Sequence, residues 1–445
     1  MAARFPEAIS LRTSFAKVVV EKLTQFFTID GLPLAIQLDQ DRRKKNRLCH
    51  IDMLKQYHRW EKDRQAQHLE QLEALFRKLQ SADLLINHAK ITSSDVLKAI
   101  ENIIKETLAY LAKGEAPVIT FDKRSSWENI RFDGNVGLQM VSDCTMSKVK
   151  CECSKSIHRF ALILKTLSMI YKLVQSNTYA TKRDLYYNDT QLFGSQMILD
   201  GVINDICCML KVPRRCLHIL STSKGCIAGD LCYTEEDGNR VNCACNSTAV
   251  LVPSNVDGIK NLNSTATFVL VVEKDATFQR LLDDDFCTKL FPCIIITGKG
   301  VPDLNTRLMV RKLWDVLHIP VFALMDADPH GIEIMCIYKY GSMSMSFDAH
   351  SLTVPIIGWL GLLPSDIQRL NIPKEVLIPL TNNDMSKLTN LQKRPYVNCQ
   401  PLWKKEMEIM EMCKVKAEIQ ALASISSDYL TRVYLPNKLK FGGWI

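Results

Sequence analysis

Three short apolar runs each end on residues that could do chemistry. Phe268–Val272 is followed by Glu273, Cys293–Thr297 by Gly298-Lys299-Gly300, and Val321–Met325 by Asp326-Ala327-Asp328. If these runs are parallel strands, a ligand belongs beyond their carboxyl ends. In D-x-D the two carboxylates leave the turn close together, and an acid on a neighbouring strand end can complete the cluster. Three acids at one edge repel one another unless a cation sits among them. Mg²⁺, with hard oxygen ligands and retained waters, is the ion that Glu273, Asp326 and Asp328 suit best. The competing reading is that these acids cap helices and close turns, where Asp is common. His330 is read as orienting the turn after Asp328. Gly298–Gly300 lacks the spacing of a nucleoside-triphosphate loop.

A second set is Thr181-Lys182-Arg183-Asp184-Leu185-Tyr186-Tyr187. Thr181 and Asp184 stand as a helix N-cap and its third-position acid. Arg183 and Tyr187 are four apart and share a helix face. A tyrosine hydroxyl ionises near pH 10, about three units above neutrality, so it needs help to act as a nucleophile. A guanidinium on its face would favour the phenolate and bind a phosphate oxygen. Lys182 stands in the same relation to Tyr186. Taken alone, the pair also reads as a core aromatic beside a surface cation.

These residues need elements to hold them. Ser94 to about Leu111 reads as a helix ended by Gly114 and Pro117. The stretch to about Ser156 shows few clear periods. Phe160–Gln175 and Leu192–Leu210 read as helices, with the short Thr181–Tyr187 segment between them. An apolar run, Leu217–Leu220, follows, and then a hairpin over Leu231–Cys245 turning at Asp237-Gly238. Helix, short helix, helix and hairpin outline a winged-helix module. Beyond Thr267, strands alternate with helices at Ala276–Asp284 and Pro302–Leu317, which means βαβ units on a mostly parallel sheet. The tail Trp403–Leu435 reads as helical.

Composition sets the outer bounds. The chain has 445 residues, 47% apolar and 23% charged, which excludes collagen-like and disordered classes. The net charge of +8 permits a nucleic-acid partner without demanding one. Sixteen cysteines without a C-x-x-C pair read as reduced, mostly buried thiols. No stretch reaches the ~18 apolar residues of a membrane helix, and the N-terminus lacks a secretory apolar core. The run Arg42–Arg47 reads either as a nuclear import or phosphate-contacting patch, or as a solvated turn. Leu69, Leu72, Leu75 and Leu79 mark an amphipathic helix within 54–79.

The segments TKRDLYYNDTQLFG, LHILSTSKGCIAG, VVEKDATFQRLL, ITGKGVPDLNTRL and ALMDADPHGIEIMCIYKYGS resemble the meiotic double-strand-break (sporulation-eleven) family. Its members are eukaryotic relatives of the archaeal topoisomerase VI A subunit. The resemblance runs from about Ser94 to Ile445 and is of vertebrate type; residues 1–92 stand outside it as an unassigned, partly helical extension. It implies a multidomain α/β (α+β) fold. A winged-helix domain of the catabolite-activator type over 93–250 is followed by a Toprim domain with C-terminal helices over 251–445.

The same resemblance implies that Tyr187 is the nucleophile, assisted by Arg183. Leu185, where the family usually has isoleucine, threatens nothing. Glu273, Asp326 and Asp328 would hold Mg²⁺. Lys182, Lys211, Arg214, Arg215, Lys224, Lys299 and Arg307 are the expected DNA contacts. The implied activity is meiotic double-strand cleavage of DNA through a 5′-phosphotyrosyl intermediate. It would take place in the nucleus, by a homodimer whose tyrosine meets the other protomer's metal. Meiotic accessory factors and a topoisomerase VI B-like subunit are the implied partners, with no membrane. Three other readings compete: a Toprim nuclease using water, a non-enzymatic winged-helix DNA-binding protein, and a D-x-D sugar-nucleotide transferase.

Overall fold

The structure is a computed structural model. It describes residues 91–445 apart from 125, 153, 245–248 and 290–291. The basic run 42–47 and the amphipathic segment 54–79 lie outside the described residues. Residues 88–426 with Ile445 form one compact unit. Residues 427–444 belong to a second and contain a helical turn over Leu430–Tyr434 and the helix Leu435–Phe441.

The first half of the large unit is built on helices. Helix α1 (Ser93–Ala112) starts at a Thr92/Asp95 capping box and buries Val96 and Ile100. The stretch without clear periods is two antiparallel strand pairs. They are β1 (Val118–Asp122) with β4 (Met146–Lys150), and β2 (Ile130–Asp133) with β3 (Gly137–Met140). Their strands are four or five residues long, too short to show a period. Helix α2 (Ser154–Gln175) follows. Strand β5 (Ala180–Thr181) leads into α3 (Lys182–Tyr187), then α4 (Thr190–Phe193) and α5 (Gln196–Leu210). The single helix expected over 192–210 is therefore two. Gly194 takes φ +66° and Ser195 caps α5 through its side chain, so the backbone turns between them. Ile163, Leu167, Ile170, Leu185, Phe193, Leu199, Ile203 and Ile206 share one core with Ile119 and Phe121.

After β6 (Ile219–Leu220) come β7 (Cys226–Gly229) and the expected hairpin, β8 (Cys232–Thr234) with β9 (Arg240–Asn242). Gly238 supplies the positive φ its turn needs. Beyond β10 (Val250–Leu251) and β11 (Lys260–Asn263) lie the expected alternating elements. These are β12 (Val269–Val272), α6 (Asp275–Asp283), β13 (Ile294–Thr297), α7 (Leu304–Leu317), β14 (Val321–Leu324), α8 (Pro329–Tyr340) and β15 (Gly358–Gly361). They form a six-stranded sheet in the order β10-β7-β13-β12-β14-β15, in which β13, β12, β14 and β15 run parallel. β12, β13 and β14 are buried on both faces, which is why they read as unbroken apolar runs. The two antiparallel strands β7 and β10 come from the chain up to residue 251. The sheet thus crosses the boundary expected at 250/251.

Helices α9 (Asn382–Gln392) and α10 (Pro401–Cys413) pack beside the sheet. The tail is not one helix. Lys414 takes φ +54°, Val415–Lys416 pairs with Ile378–Pro379, and Ala417 bridges to Ala327. This return brings 417–419 to the strand ends.

Asp384, in the first turn of α9, is buried and bonded to Thr381, with Lys416 Nζ 2.8 Å away. Burial opposes its ionisation, but the Lys416 and Thr381 donors outweigh it and hold the carboxyl at about 2. A carboxyl depressed on folding stabilises the fold above its ordinary value of 3.8 and loses that contribution as pH falls towards 2. Asp384→Asn should therefore cost about 2 kcal/mol at neutral pH. In urea unfolding the gap to wild type should close as pH is lowered through that window. His330 Nε2 lies 3.7 Å from Asp384 Oδ1, so this histidine faces a helix cap.

Candidate active site

The acidic site is assembled by the sheet. Glu273 directly follows β12, and its Oε2 accepts the Asp326 N–H at 2.8 Å. Asp326 is two residues beyond β14; its Oδ1 accepts the Ile419 N–H at 2.9 Å. Asp328 caps α8 and accepts the Gly331 N–H at 2.6 Å, with Pro329 in the first turn. Gly331 permits this closeness: a Cβ there would lie 2.6 Å from the Asp326 carbonyl and 2.9 Å from Glu273 Oε2. Burial and then the Asp326 charge push the Glu273 carboxyl up to about 8. Burial also raises Asp326, against the pull of Lys274. The Lys274 ammonium sits 2.7 Å from Asp326 Oδ2 and 2.8 Å from Glu418 Oε1.

Glu273 and Asp326 are thus brought together as expected. The complete three-acid cluster is not formed: among the described residues no three His, Cys, Asp or Glu side chains converge as a ready coordination shell. The reason is local. Both Asp326 oxygens are engaged, and Asp328 spends one on its helix cap. The donor chemistry still suits a hard divalent cation, because all three donors are carboxylates and the Glu273–Asp326 repulsion is what such an ion relieves. Lys274 now supplies that positive charge.

The tyrosine site is separate. Thr181 Oγ1 accepts the Asp184 N–H at 3.2 Å, and Asp184 Oδ2 accepts the Thr181 N–H at 2.8 Å, so the expected capping box is present. The Thr181 N–H and hydroxyl, both donated to Asp184 Oδ2, lower the Asp184 carboxyl. Buried Leu185 anchors α3, and β5 pairs in parallel with β6 behind it. Tyr179 stacks on His218 with centroids 4.3 Å apart, and Arg215 lies over Tyr179. Arg183 and Tyr187 are both exposed, Tyr187 at 69%. Among the described residues, no hydrogen bond, ion pair or ring contact joins either of them to Glu273, Asp326 or Asp328.

The expected DNA-contacting cations divide. Lys224 and Lys299 are exposed and adjacent. Lys224 Nζ donates to the Lys299 carbonyl at 3.2 Å, and Gly300 N donates to the Glu273 carbonyl at 2.8 Å, so this pair stands beside the acids. Asp303 holds the crossing by accepting the Lys224 and Gly225 N–H groups. Lys211 is exposed at the end of α5 and lines a cavity of about 370 Å³ with Asp122, Arg131 and His350. Arg215 pairs with Asp257 at 3.1 Å. Arg214 and Arg307 correct the expectation. Both are buried, Arg214 donating to Ser221 Oγ and Arg307 facing Asp348, so neither can reach a DNA backbone. Burial lowers Arg307 to about 10.

Lys182 is also committed, bonding Asp200 Oδ2 on α5 at 2.5 Å. It therefore ties α3 to α5. Asp200→Asn should lower the hydrogen-exchange protection of the α3 backbone amides several-fold, because it loosens the tie between α3 and α5. The exchanged pair Lys182→Asp/Asp200→Lys should recover most of that protection. Native-state hydrogen exchange on the three proteins checks this. Sequence reasoning passed over Asp200, Lys274, Asp303 and Gly331. Lys274 adjoins Glu273 in VVEKDA, but nothing in the spacing indicates Asp200.

Comparison with known proteins fits this geometry. The Toprim domain of the topoisomerase 6 A-subunit/Spo11 family matches residues 268–439, and the "Type IIB DNA topoisomerase" family matches 158–219. The human "Meiotic recombination protein SPO11" is 71% identical over 354 residues, 80% of this chain and 89% of that protein. Its mouse counterpart is 67% identical over the same shares. The DNA topoisomerase 6 A subunit of Arabidopsis thaliana is 39% identical over 65% of this chain and 68% of its own length. The fold and site thus define a topoisomerase-like DNA-cleaving enzyme of the type IIB A-subunit class. The chain belongs to the topoisomerase VI A-subunit/Spo11 family, on its vertebrate meiotic branch. Toprim domains are in general metal-binding domains.

Proposed function

We propose that this chain makes meiotic DNA double-strand breaks by transesterification, with Tyr187 as nucleophile. One observation carries the reading. An exposed Tyr187–Arg183 pair on a capped helix occurs in the same chain as a buried Glu273–Asp326 pair, and the two share no contact.

The Tyr187 oxygen attacks a backbone phosphorus in line. The new Tyr–O–P bond forms as the P–O3′ bond breaks. The phenol proton passes to water, and the departing 3′ oxygen takes one up. Arg183 draws negative charge from the phosphate oxygens and favours the phenolate. Lys224 and Lys299 bind flanking phosphates, giving little sequence preference of their own. Glu273, Asp326 and Asp328 would hold Mg²⁺, which when bound there supplies charge neutralisation and stabilises the leaving 3′ oxygen.

In this reading the winged-helix segment (93–250) carries the nucleophile and the Toprim segment (251–445) the metal acids. The separation of the two sites favours a homodimer in which the tyrosine of one protomer meets the acids of its partner. The chain carries no ATP-binding motif, so a topoisomerase VI B-like subunit would supply any ATPase. Meiotic accessory factors would recruit the assembly to double-stranded DNA in the nucleus. The test is to digest trapped protein–DNA complexes and sequence the peptide left on the 5′ ends. A peptide containing Tyr187 is expected; any other attachment residue, or none, overturns the reading.

A further inference from the structure

The ammonium beside the acids comes from a residue that its own helix does not favour. Lys274 is the N-cap of α6, and its side chain makes no capping bond. That position prefers Ser, Thr, Asp or Asn, whose oxygen can accept a free first-turn N–H. The helix dipole also disfavours a cation there. A lysine at such a place points to a role outside the helix.

Its partners show which. Lys274 Nζ bridges Asp326 Oδ2 at 2.7 Å and Glu418 Oε1 at 2.8 Å. The two carboxylates differ: the Asp326 side chain is 2% exposed and that of Glu418 is 49% exposed. Asp326 Oδ1 already accepts the Ile419 N–H, so Oδ2 is the oxygen left for a cation, and Lys274 holds it. The backbone fixes Glu418 in place. Ala417 and Ala327 exchange N–H···O bonds of 2.9 and 3.2 Å. On the other side the Gln420 amide donates to Thr277 Oγ1 on α6 at 3.3 Å. Residue 418 is thus pinned from both sides within reach of Lys274.

We propose that Lys274 is an internal competitor for the metal, and that Glu418 is the acceptor to which its ammonium retreats. This rests on Glu273, Asp326 and Asp328 being the metal acids. An ammonium and a divalent cation repel, so they compete for Asp326 Oδ2. Metal binding is therefore an exchange. The Lys274–Asp326 ion pair breaks, and the Lys274–Glu418 ion pair stays. Before the exchange, Lys274 offsets the repulsion between Glu273 and Asp326 and keeps the two strand ends together. After it, Glu418 spares a half-buried ammonium from being left without a counter-charge. Metal affinity is then set by the Lys274–Glu418 pair as well as by the acids themselves.

The test titrates Mg²⁺ alone into the full chain by calorimetry, without DNA, and follows thermal unfolding with and without Mg²⁺. Lys274→Met removes the competitor, so the Mg²⁺ Kd should fall at least about fivefold. Its unfolding midpoint should drop without Mg²⁺ and gain more from Mg²⁺ than that of wild type. Glu418→Gln removes the acceptor, so its Kd should rise by a similar factor. A merely structural role would move both variants in the same direction. In Lys274→Met/Glu418→Gln the Kd should stay with Lys274→Met, since an acceptor has no effect without a competitor. An unchanged or raised Kd in Lys274→Met overturns the proposal. So does a Glu418→Gln effect of equal size in both backgrounds, which would make Glu418 a surface charge and nothing more. Asp326→Asn run alongside separates the two claims. Mg²⁺ binding that is unaltered there refutes the metal site and the exchange with it. Binding lost there, beside unchanged Lys274 and Glu418 variants, refutes the exchange alone.

Discussion

Tyr187→Phe is expected to abolish covalent protein–DNA adducts, a loss of about a thousandfold or more, while leaving the fold and DNA affinity in place. The substitution removes one oxygen. Tyr187 is 69% exposed, and its ring contact with Tyr186 at 5.6 Å is one that phenylalanine keeps. No buried hydrogen bond is broken and no cavity opens. Thermal unfolding should therefore superimpose on wild type, and a filter-binding titration should give the same affinity. A nuclease that used water would still cut DNA in this variant and leave no protein on the ends. Complete loss of both adducts and breaks, at unchanged affinity, is the transesterase result.

Asp326→Asn is the second large effect. Asp326 is fully buried, accepts the Ile419 N–H and pairs with Lys274. Asparagine keeps the shape and can keep the Ile419 bond, but it removes the charge. Cleavage should fall at least about a hundredfold, because in the proposed mechanism this carboxylate would be one of the three that hold the metal and so set phosphate charge stabilisation. Calorimetric Mg²⁺ binding should weaken with it. The informative experiment mixes Tyr187→Phe chains with Asp326→Asn chains. If each site draws its tyrosine and its acids from different protomers, a mixed dimer has one site with both groups intact and one with neither. Random pairing should then restore about a quarter of wild-type strand cleavage, as nicks and not double-strand breaks. If each site were built within one chain, every site in the mixture would lack one group and no nicks would appear.

Much of this site is legible in the sequence. Glu273, Asp326 and Asp328 can be placed at strand ends because β12 and β14 are buried on both faces and so read as unbroken apolar runs. The Thr181/Asp184 capping box is equally plain, because it is a contact between residues three apart. Other features are hidden by their local character. Strands β1 to β4 are too short to show alternation, and Gly194–Ser195 breaks a helix whose apolar pattern continues across the gap. The tail reads as helical because nothing near Lys414 announces that Ala417 will pair with Ala327, ninety residues away.

The cations show the division most sharply. Type and neighbourhood mark Lys182, Arg214, Arg215, Lys224, Lys299 and Arg307 alike as DNA contacts. The fold buries Arg214 and Arg307, pairs Lys182 with Asp200 and Lys299 with Asp275, and leaves Lys224 exposed beside the acids. Which residues can do the chemistry, and which elements carry them, follows from residue type and from contacts three or four positions apart, and the amino-acid order alone records both. Which charges face solvent, that Lys274 neutralises Asp326, and that Tyr187 shares no contact with the acids emerged only on folding. Burial and long-range pairing depend on chain segments as distant as Val136 and Thr353, and no local spacing encodes them.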